Sequence, residues 1–244
     1  MRDIDKYTEN YIIANFEDYQ IKYRRKLILD VMSKYNPKTI LEIGCGMKPL
    51  FQYIDDIKYE KYVVVDPSNK FFDNAVRLSR NDNRIECIHD FFTARSVPHI
   101  KYDMIICAGL LHEIENPGNM LKEIRKISQE ETVIHINVPN VNSVHRLLAK
   151  SMGLITDVHE KSERNILYQQ NTNFDLESLK SLICENGFMV VESGSYFIKP
   201  FTHTQMYEMI KADIINESVL DGLYKLAEIF PENGSEIYVN AMLK

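Results

Sequence analysis

The chain has no run of apolar residues approaching the ~18 needed to cross a bilayer, so no membrane-spanning helix is expected. It also lacks a basic excess. Its formal net charge is −6, whereas broad charge-driven binding to DNA or RNA needs a basic face. Neither a membrane nor a nucleic acid is therefore an expected partner. The four cysteines, Cys45, Cys87, Cys107 and Cys184, form no C-x-x-C pair. They read as buried free thiols in a reducing compartment. Met1 to Asn10 is charged and holds no apolar stretch, unlike a secretory signal, so a cytoplasmic protein is expected. Metal-ligand spacing is missing too. His112-Glu113 opens like an H-E-x-x-H helix, but Asn116 stands where the second histidine would be. There are no repeats and no low-complexity linker, and 244 residues suit one α/β domain, 1–244, with insertions.

What is present is an alternation of short β-branched runs with amphipathic stretches. The runs are Thr39–Ile43, Tyr62–Val65, Arg84–Ile88, Asp103–Cys107 and Thr132–Val138. Helical segments lie between them at Leu50–Ile57, Asn69–Ser79 and Pro117–Ile127. Near-continuous apolar strands between helices indicate a parallel sheet covered on both faces. Asp175 can cap a helix with its body at Leu176–Cys184, and Gly187 suits its stop. Two further strands follow, Phe188–Ile198 and Glu236–Leu243, making seven. Three segments fall outside this frame: an amino-terminal helical cap, 1–36, and two insertions, 139–174 and 199–234. Connections this long are lids, binding elements or interfaces.

The sharpest local signal is Leu41-Glu42-Ile43-Gly44-Cys45-Gly46 at the end of the first strand. Gly44 and Gly46 permit a sharp turn and a close approach of backbone to ligand. Asp66 closes the second strand, 24 residues beyond Glu42, where a carboxylate can accept from both hydroxyls of a ribose. A dinucleotide fingerprint would need a third glycine at the position held by Pro49, and the loop has few donors for a pyrophosphate.

In this order the motifs resemble those of the class I S-adenosylmethionine-dependent methyltransferases. Cys87-Ile88-His89-Asp90-Phe91 looks like the motif after their third strand, and Tyr102 to Ile114 like the one around their fourth. Pro117–Ile127 and Asn173 to Phe188 match the helices that follow, so the likeness spans roughly residues 38–192. The resemblance implies an α/β fold with a Rossmann-like, seven-stranded mixed sheet. That sheet would be mostly parallel with an antiparallel last strand, and helices would cover both faces. It implies S-adenosylmethionine as cofactor, held by Glu42, Gly44, Cys45, Gly46, Asp66, Pro67, Asp90, Phe91, Cys107 and Ala108. Lys48 stands where the family often has a third glycine. It either points to solvent or meets the cofactor carboxylate or an anionic substrate.

Methyl transfer is mainly alignment and desolvation, but an acceptor amine or hydroxyl can also need a base. His112, after the fourth strand, is the first candidate for a catalytic base and His145 the second, with His159 weaker. A histidine titrates near neutrality, but each could equally be structural. Arg146 and Lys150, at i and i+4, either meet an anionic substrate group or are solvated. Tyr7, Tyr11 and Tyr19 either close over the cofactor or pack the amino-terminal segment onto the sheet. Met206, Met209, Ile210, Leu223, Leu226 and Phe230 recur at helical spacing and fit core packing, a lid or a homodimer interface. Cys107-Ala108-Gly109-Leu110 does not match the Asn- or Asp-Pro-Pro-aromatic motif of DNA amino-methyltransferases, and no Pro-Cys dipeptide occurs. The expected acceptor is an O or N atom of a small molecule: a sugar, a nucleotide sugar, or another polysaccharide or metabolite precursor. A protein acceptor, or cofactor binding without turnover, is the alternative.

Overall fold

The structure is a computed structural model that describes residues 3–11 and 16–244. Two helices lead in, α1 (Ile4–Tyr11) and α2 (Glu17–Tyr35). The alternating core follows: β1 (Thr39–Ile43), β2 (Lys61–Val65), α3 (Asn69–Ser79), β3 (Ile85–Ile88), β4 (Met104–Ala108), α4 (Pro117–Ile127) and β5 (Val133–Pro139). Next come α5 (Val144–Ser151), α6 (Glu163–Leu167), α7 (Leu176–Glu185), β6 (Phe188–Tyr196), α8 (His203–Lys211), α9 (Glu217–Leu226) and β7 (Glu236–Leu243).

The seven strands form one sheet in the order β3-β2-β1-β4-β5-β7-β6. β7 is antiparallel to both of its neighbours, while β1 to β5 pair in parallel. The expected mixed sheet with an antiparallel last strand is thus the one observed.

The alternation of side chains along each strand builds two cores. Leu41, Val63, Ile105, Ile134 and Val239 face one side, where Leu121 and Ile124 of α4 and Leu179 and Ile183 of α7 cover them. Ile40, Tyr62, Val64 and Met104 face the other, under Ile28, Val31 and Met32 of α2 and Phe71 and Ala75 of α3. A third cluster joins Tyr23 of α2 to Phe197, Met206 of α8 and Leu220 of α9. Met206 is therefore core, with Met209, Ile210 and Leu223 packed against it, whereas Phe230 is about half exposed.

Two sequence expectations are shortened. The helix expected over Leu50–Ile57 is a single 3-10 turn, Leu50–Tyr53, because Ile54 leaves helical geometry at φ −109°, ψ 33°. β6 stops at Tyr196 because Phe197 adopts a left-handed φ of +57°. Past that turn, Ile198 N donates to Leu223 O at 2.9 Å, and Lys199 borders the space over the sheet's edge. α7 carries the expected cap: Asp175 accepts from Ser178 N at 2.7 Å.

From β1 the chain connects outward to β2 on one side, and β4 lies on the other, so the strand order reverses between β1 and β4. Beyond the carboxyl ends of strands at such a reversal, two diverging connections leave a crevice where ligands bind.

Candidate active site

The loop after β1 is shaped by two left-handed glycines, Gly44 at φ +77° and Gly46 at φ +59°. A Cβ on Gly44 would also come 3.2 Å from Leu110 Cδ2, so the turn is closed to larger residues on two counts. The loop is held from beneath by two buried carboxylates. Glu42 accepts from Leu50 N at 3.2 Å and from the Tyr62 hydroxyl at 2.9 Å. Burial pushes its carboxyl up to about 7, against the opposing pull of those hydrogen bonds. Asp66 accepts from Cys45 N at 2.9 Å, Gly46 N at 3.4 Å and Ser68 N at 2.9 Å. Burial raises its carboxyl too, opposed by these backbone donors. Asp66 thus sets the loop's conformation while bordering the space above it.

That space is a cavity of about 1430 Å³ over the carboxyl edge of the sheet. Small-molecule sites usually occupy roughly 300–1,000 Å³, so the cavity has room for two ligands. Glu42, Gly44, Cys45, Gly46, Asp66, Pro67, Phe91 and Ala108 line it, as do His112 and His145. Two residues of the sequence-derived set stand apart. Asp90 is exposed and outside the lining, its carboxylate accepting from Phe91 N at 2.7 Å. Cys107 is fully buried in the core beneath the cavity, where burial pushes its thiol up to about 12.

His112 sits in a 3-10 turn, Leu111–Glu113, directly after β4. It is buried, with Nε2 3.8 Å from Glu113 Oε1. His145 is half-buried on α5. His159 is exposed and lies outside the lining. Arg146 borders the cavity, but its Nε donates to Val158 O at 2.8 Å and Nη2 donates to Glu160 O, so it clips the 156–160 loop to α5. Lys150 is exposed and away from the cavity, and Lys48 pairs with Asp18 at 2.7 Å. Tyr7 lines the cavity between Phe71 and Tyr168, edge-on to both rings. Tyr19 instead stacks on Phe16, and the Tyr11 side chain lies outside the described residues.

A second polar cluster was not visible in the sequence. Arg24 Nε donates to Glu236 Oε2 at 2.9 Å, and Nη2 donates to Glu236 Oε1. Gln20 Nε2 donates to Glu236 Oε1 at 3.0 Å, Asn137 Nδ2 to Oε2 at 2.5 Å, and the Tyr196 hydroxyl also donates to Oε2. Burial pushes the Glu236 carboxyl up, but Arg24 and the Tyr196 hydroxyl more than offset it, so it lies below the ordinary range. Glu17 extends the cluster, 3.4 Å from both Arg24 Nη2 and His203 Nε2. Lys199 Nζ lies 2.8 Å from His203 Nδ1. The members come from α2, β5, β6, the connection after β6, α8 and β7, and no local spacing relates them.

The sequence matches the family model described as "Methyltransferase domain" over residues 17–193. No curated protein sequence matches it. Among solved structures, the N-methyltransferase NodS from Bradyrhizobium japonicum WM9, in complex with S-adenosyl-L-homocysteine, is similar in fold. The TM-score is 0.56 at 10% identity, over 92% of this chain and 87% of that one. The plantazolicin methyltransferase BpumL, also in complex with SAH, has a TM-score of 0.61 at 19% identity, over 96% and 89%. The [4+2]-cyclase SpnF superimposes with a TM-score of 0.55 at 13% identity, over 88% and 79%. At such identities the likeness is one of fold, and the family match carries the assignment: this chain belongs to the methyltransferase domain family.

Proposed function

We propose that the protein transfers a methyl group from S-adenosylmethionine to an O or N atom of a small molecule. A sugar, a nucleotide sugar or another polysaccharide or metabolite precursor is the acceptor class. The observation that carries this reading is the cavity across the strand-order reversal, with room for two ligands and with Glu42 and Asp66 bordering it beside the glycine loop.

Of its lining residues between β1 and the end of α4, Glu42, Asp66, Glu113, Glu115 and Glu123 are acidic, and Lys48, Lys122 and Lys126 are basic. An acidic surround suits a ligand with a sulfonium and an ammonium centre, whose own carboxylate cancels one of the two charges. In this reading Asp66 and the loop it shapes receive the ribose, and Glu42 faces the ammonium end. Phe91, about half exposed, offers an apolar face to the adenine. When bound, the cofactor supplies an activated methyl group on a cationic sulfur.

The chain's own work is alignment, exclusion of water and handling of one proton. Tyr7 on α1 roofs the cavity, tied on one side by Thr8 Oγ1 to Ser68 Oγ at 2.9 Å. On the other side, Asp3 N donates to Gln169 Oε1 at 2.9 Å. His112 borders the cavity, with Glu113 Oε1 3.8 Å from its Nε2, and is the first candidate to take that proton. His145, on α5, is the second candidate.

Incubation with methyl-labelled S-adenosylmethionine and a panel of sugars, sugar nucleotides, phosphorylated metabolites and peptides tests the reading. Label appearing in a small molecule supports it. Label in peptide alone would replace the acceptor class, and cofactor binding without transfer to any of the panel would favour a non-catalytic role.

A further inference from the structure

α5 is amphipathic with its faces reversed. Its polar residues His145 and Arg146 border the cavity, and Arg146 is held on Val158 O and Glu160 O. Val144, Leu147, Leu148 and, just past the last turn, Met152 share the other face, at the spacing of a single helical stripe. Leu147 and Leu148 are exposed, Met152 is 63% exposed, and Leu154 after it is 69% exposed. Among the described residues of α5 none is buried. A surface helix ordinarily packs by its apolar stripe, and this one packs by its polar side.

The apolar face continues onto the turn after α9. Val144 N donates to Asn233 O at 3.2 Å, and Asn233 Nδ2 donates to Asn142 O at 3.0 Å. Asn233 N in turn donates to Phe230 O at 3.1 Å. These bonds set Ile229 and Phe230, 71% and 49% exposed, beside the start of α5. The two halves of the face differ in charge. α5 and the residues after it, 144–156, carry Arg146 and Lys150 and no acid. The turn after α9, 227–235, carries Glu228 and Glu232 and no base. The next acids along the chain from α5, Asp157 and Glu160, belong to the loop that Arg146 holds on the polar side of the helix.

We infer that this face is the interface of a two-fold homodimer, in which α5 of each copy meets the turn after α9 of the other. A two-fold contact sets the same surface against itself, so residue i meets j and j meets i. That arrangement covers Leu147, Leu148, Met152, Leu154, Ile229 and Phe230 with one another. It also brings the basic half of one copy to the acidic half of the other, twice. Laying α5 on α5 would instead oppose like charges. An anionic lipid surface would take Lys150 but repel Glu228 and Glu232, which flank Ile229 and Phe230. Because His145 sits on the inner side of α5, the dimer also fixes a wall of the candidate active site.

Sedimentation velocity of the full chain at increasing concentration is the test. A species of twice the 28.5 kDa chain mass is expected at micromolar concentration. Leu148→Asp is expected to weaken the dimer about tenfold or more, as for a residue near the centre of an interface. Lys150→Glu alone, and Glu228→Lys with Glu232→Lys alone, should each weaken it several-fold. An equimolar mixture of these two charge variants should restore it, because a mixed dimer has opposite charges at both contacts. If Leu148→Asp melts early, the charge variants carry the test. A chain still monomeric at high micromolar concentration, a dimer that these variants leave unchanged, or a mixture no tighter than its components would overturn the inference. Binding of a monomeric chain to vesicles of phosphatidylglycerol and phosphatidylcholine would overturn it too, by giving the face to a lipid surface.

Discussion

Arg24 on α2 and Glu236 at the head of β7 form a two-pronged ion pair across 212 residues of sequence. The pair fastens the amino-terminal helix to the antiparallel strand and borders the cavity. Arg24 also packs against Gly109, whose added Cβ would come 3.2 Å from Arg24 Nη1. One guanidinium thus joins the cap, the turn after β4 and the last strand.

Removing it should be costly, because Glu236 is 2% exposed and would be left as a buried charge. Arg24→Met is expected to destabilise the fold by about 3–5 kcal/mol in urea unfolding. Arg24→Met with Glu236→Gln should recover a large part of that loss. Additive losses in the double variant would show that the two side chains do not act as a pair.

Glu42 gives a pH dependence of stability with a definite sign. Its carboxyl is held up to about 7 by burial, against an ordinary value of 4.5. Between those values the folded chain keeps a proton that the unfolded chain has released, so this group's contribution falls as pH rises through the window. Glu42→Gln should remove that decline. Melting curves from pH 4.5 to 8 are expected to show the variant gaining on the wild type as pH rises, by at most about 3 kcal/mol. A constant difference across the range would contradict the assigned shift.

Asp66 has two tasks, shaping the loop and, in the proposed function, receiving the ribose. Asp66→Ala should weaken S-adenosylhomocysteine binding about tenfold or more, from hydrogen bonds worth about 1.5–3 kcal/mol each. It should also lower the melting temperature, since Cys45 N, Gly46 N and Ser68 N lose their common acceptor. Calorimetry and thermal melting separate the two effects, and unchanged affinity would remove Asp66 from the cofactor site.

α1 meets the walls of the cavity through Thr8 and Tyr7. Thr8 Oγ1 meets Ser68 Oγ in a buried hydrogen bond, and Tyr7 leans on Phe71 and Tyr168. Thr8→Val is expected to cost about 1 kcal/mol locally. Hydrogen exchange should quicken in α1 while the sheet stays protected. Equal exchange in α1 would mean that other contacts hold this helix in place.

Sequence reading reached the sheet, and it reached residues that line the cavity, because both are written locally. Strand runs are contiguous, and Glu42, Gly44, Gly46 and Asp66 sit at strand ends where position alone brings them together. It reached His112 and His145 as cavity residues for the same reason, since each follows a strand of the sheet's carboxyl edge. Asp90 and Cys107 show the limit of that logic. A strand-end position does not fix which way a side chain turns, and Asp90 turns back onto its own backbone while Cys107 points into the core. The cluster around Glu236 was illegible because its members assemble from distant segments. Glu17, Arg24, Lys199, His203 and Glu236 share no spacing, and only the placement of β7 between β5 and β6 brings them to one wall.

Calorimetric titration of the purified chain with S-adenosylhomocysteine, with NADH in parallel, tests the central claim most directly. The account predicts micromolar binding of S-adenosylhomocysteine and none of NADH. Preference for NADH, or no binding of either, would contradict it.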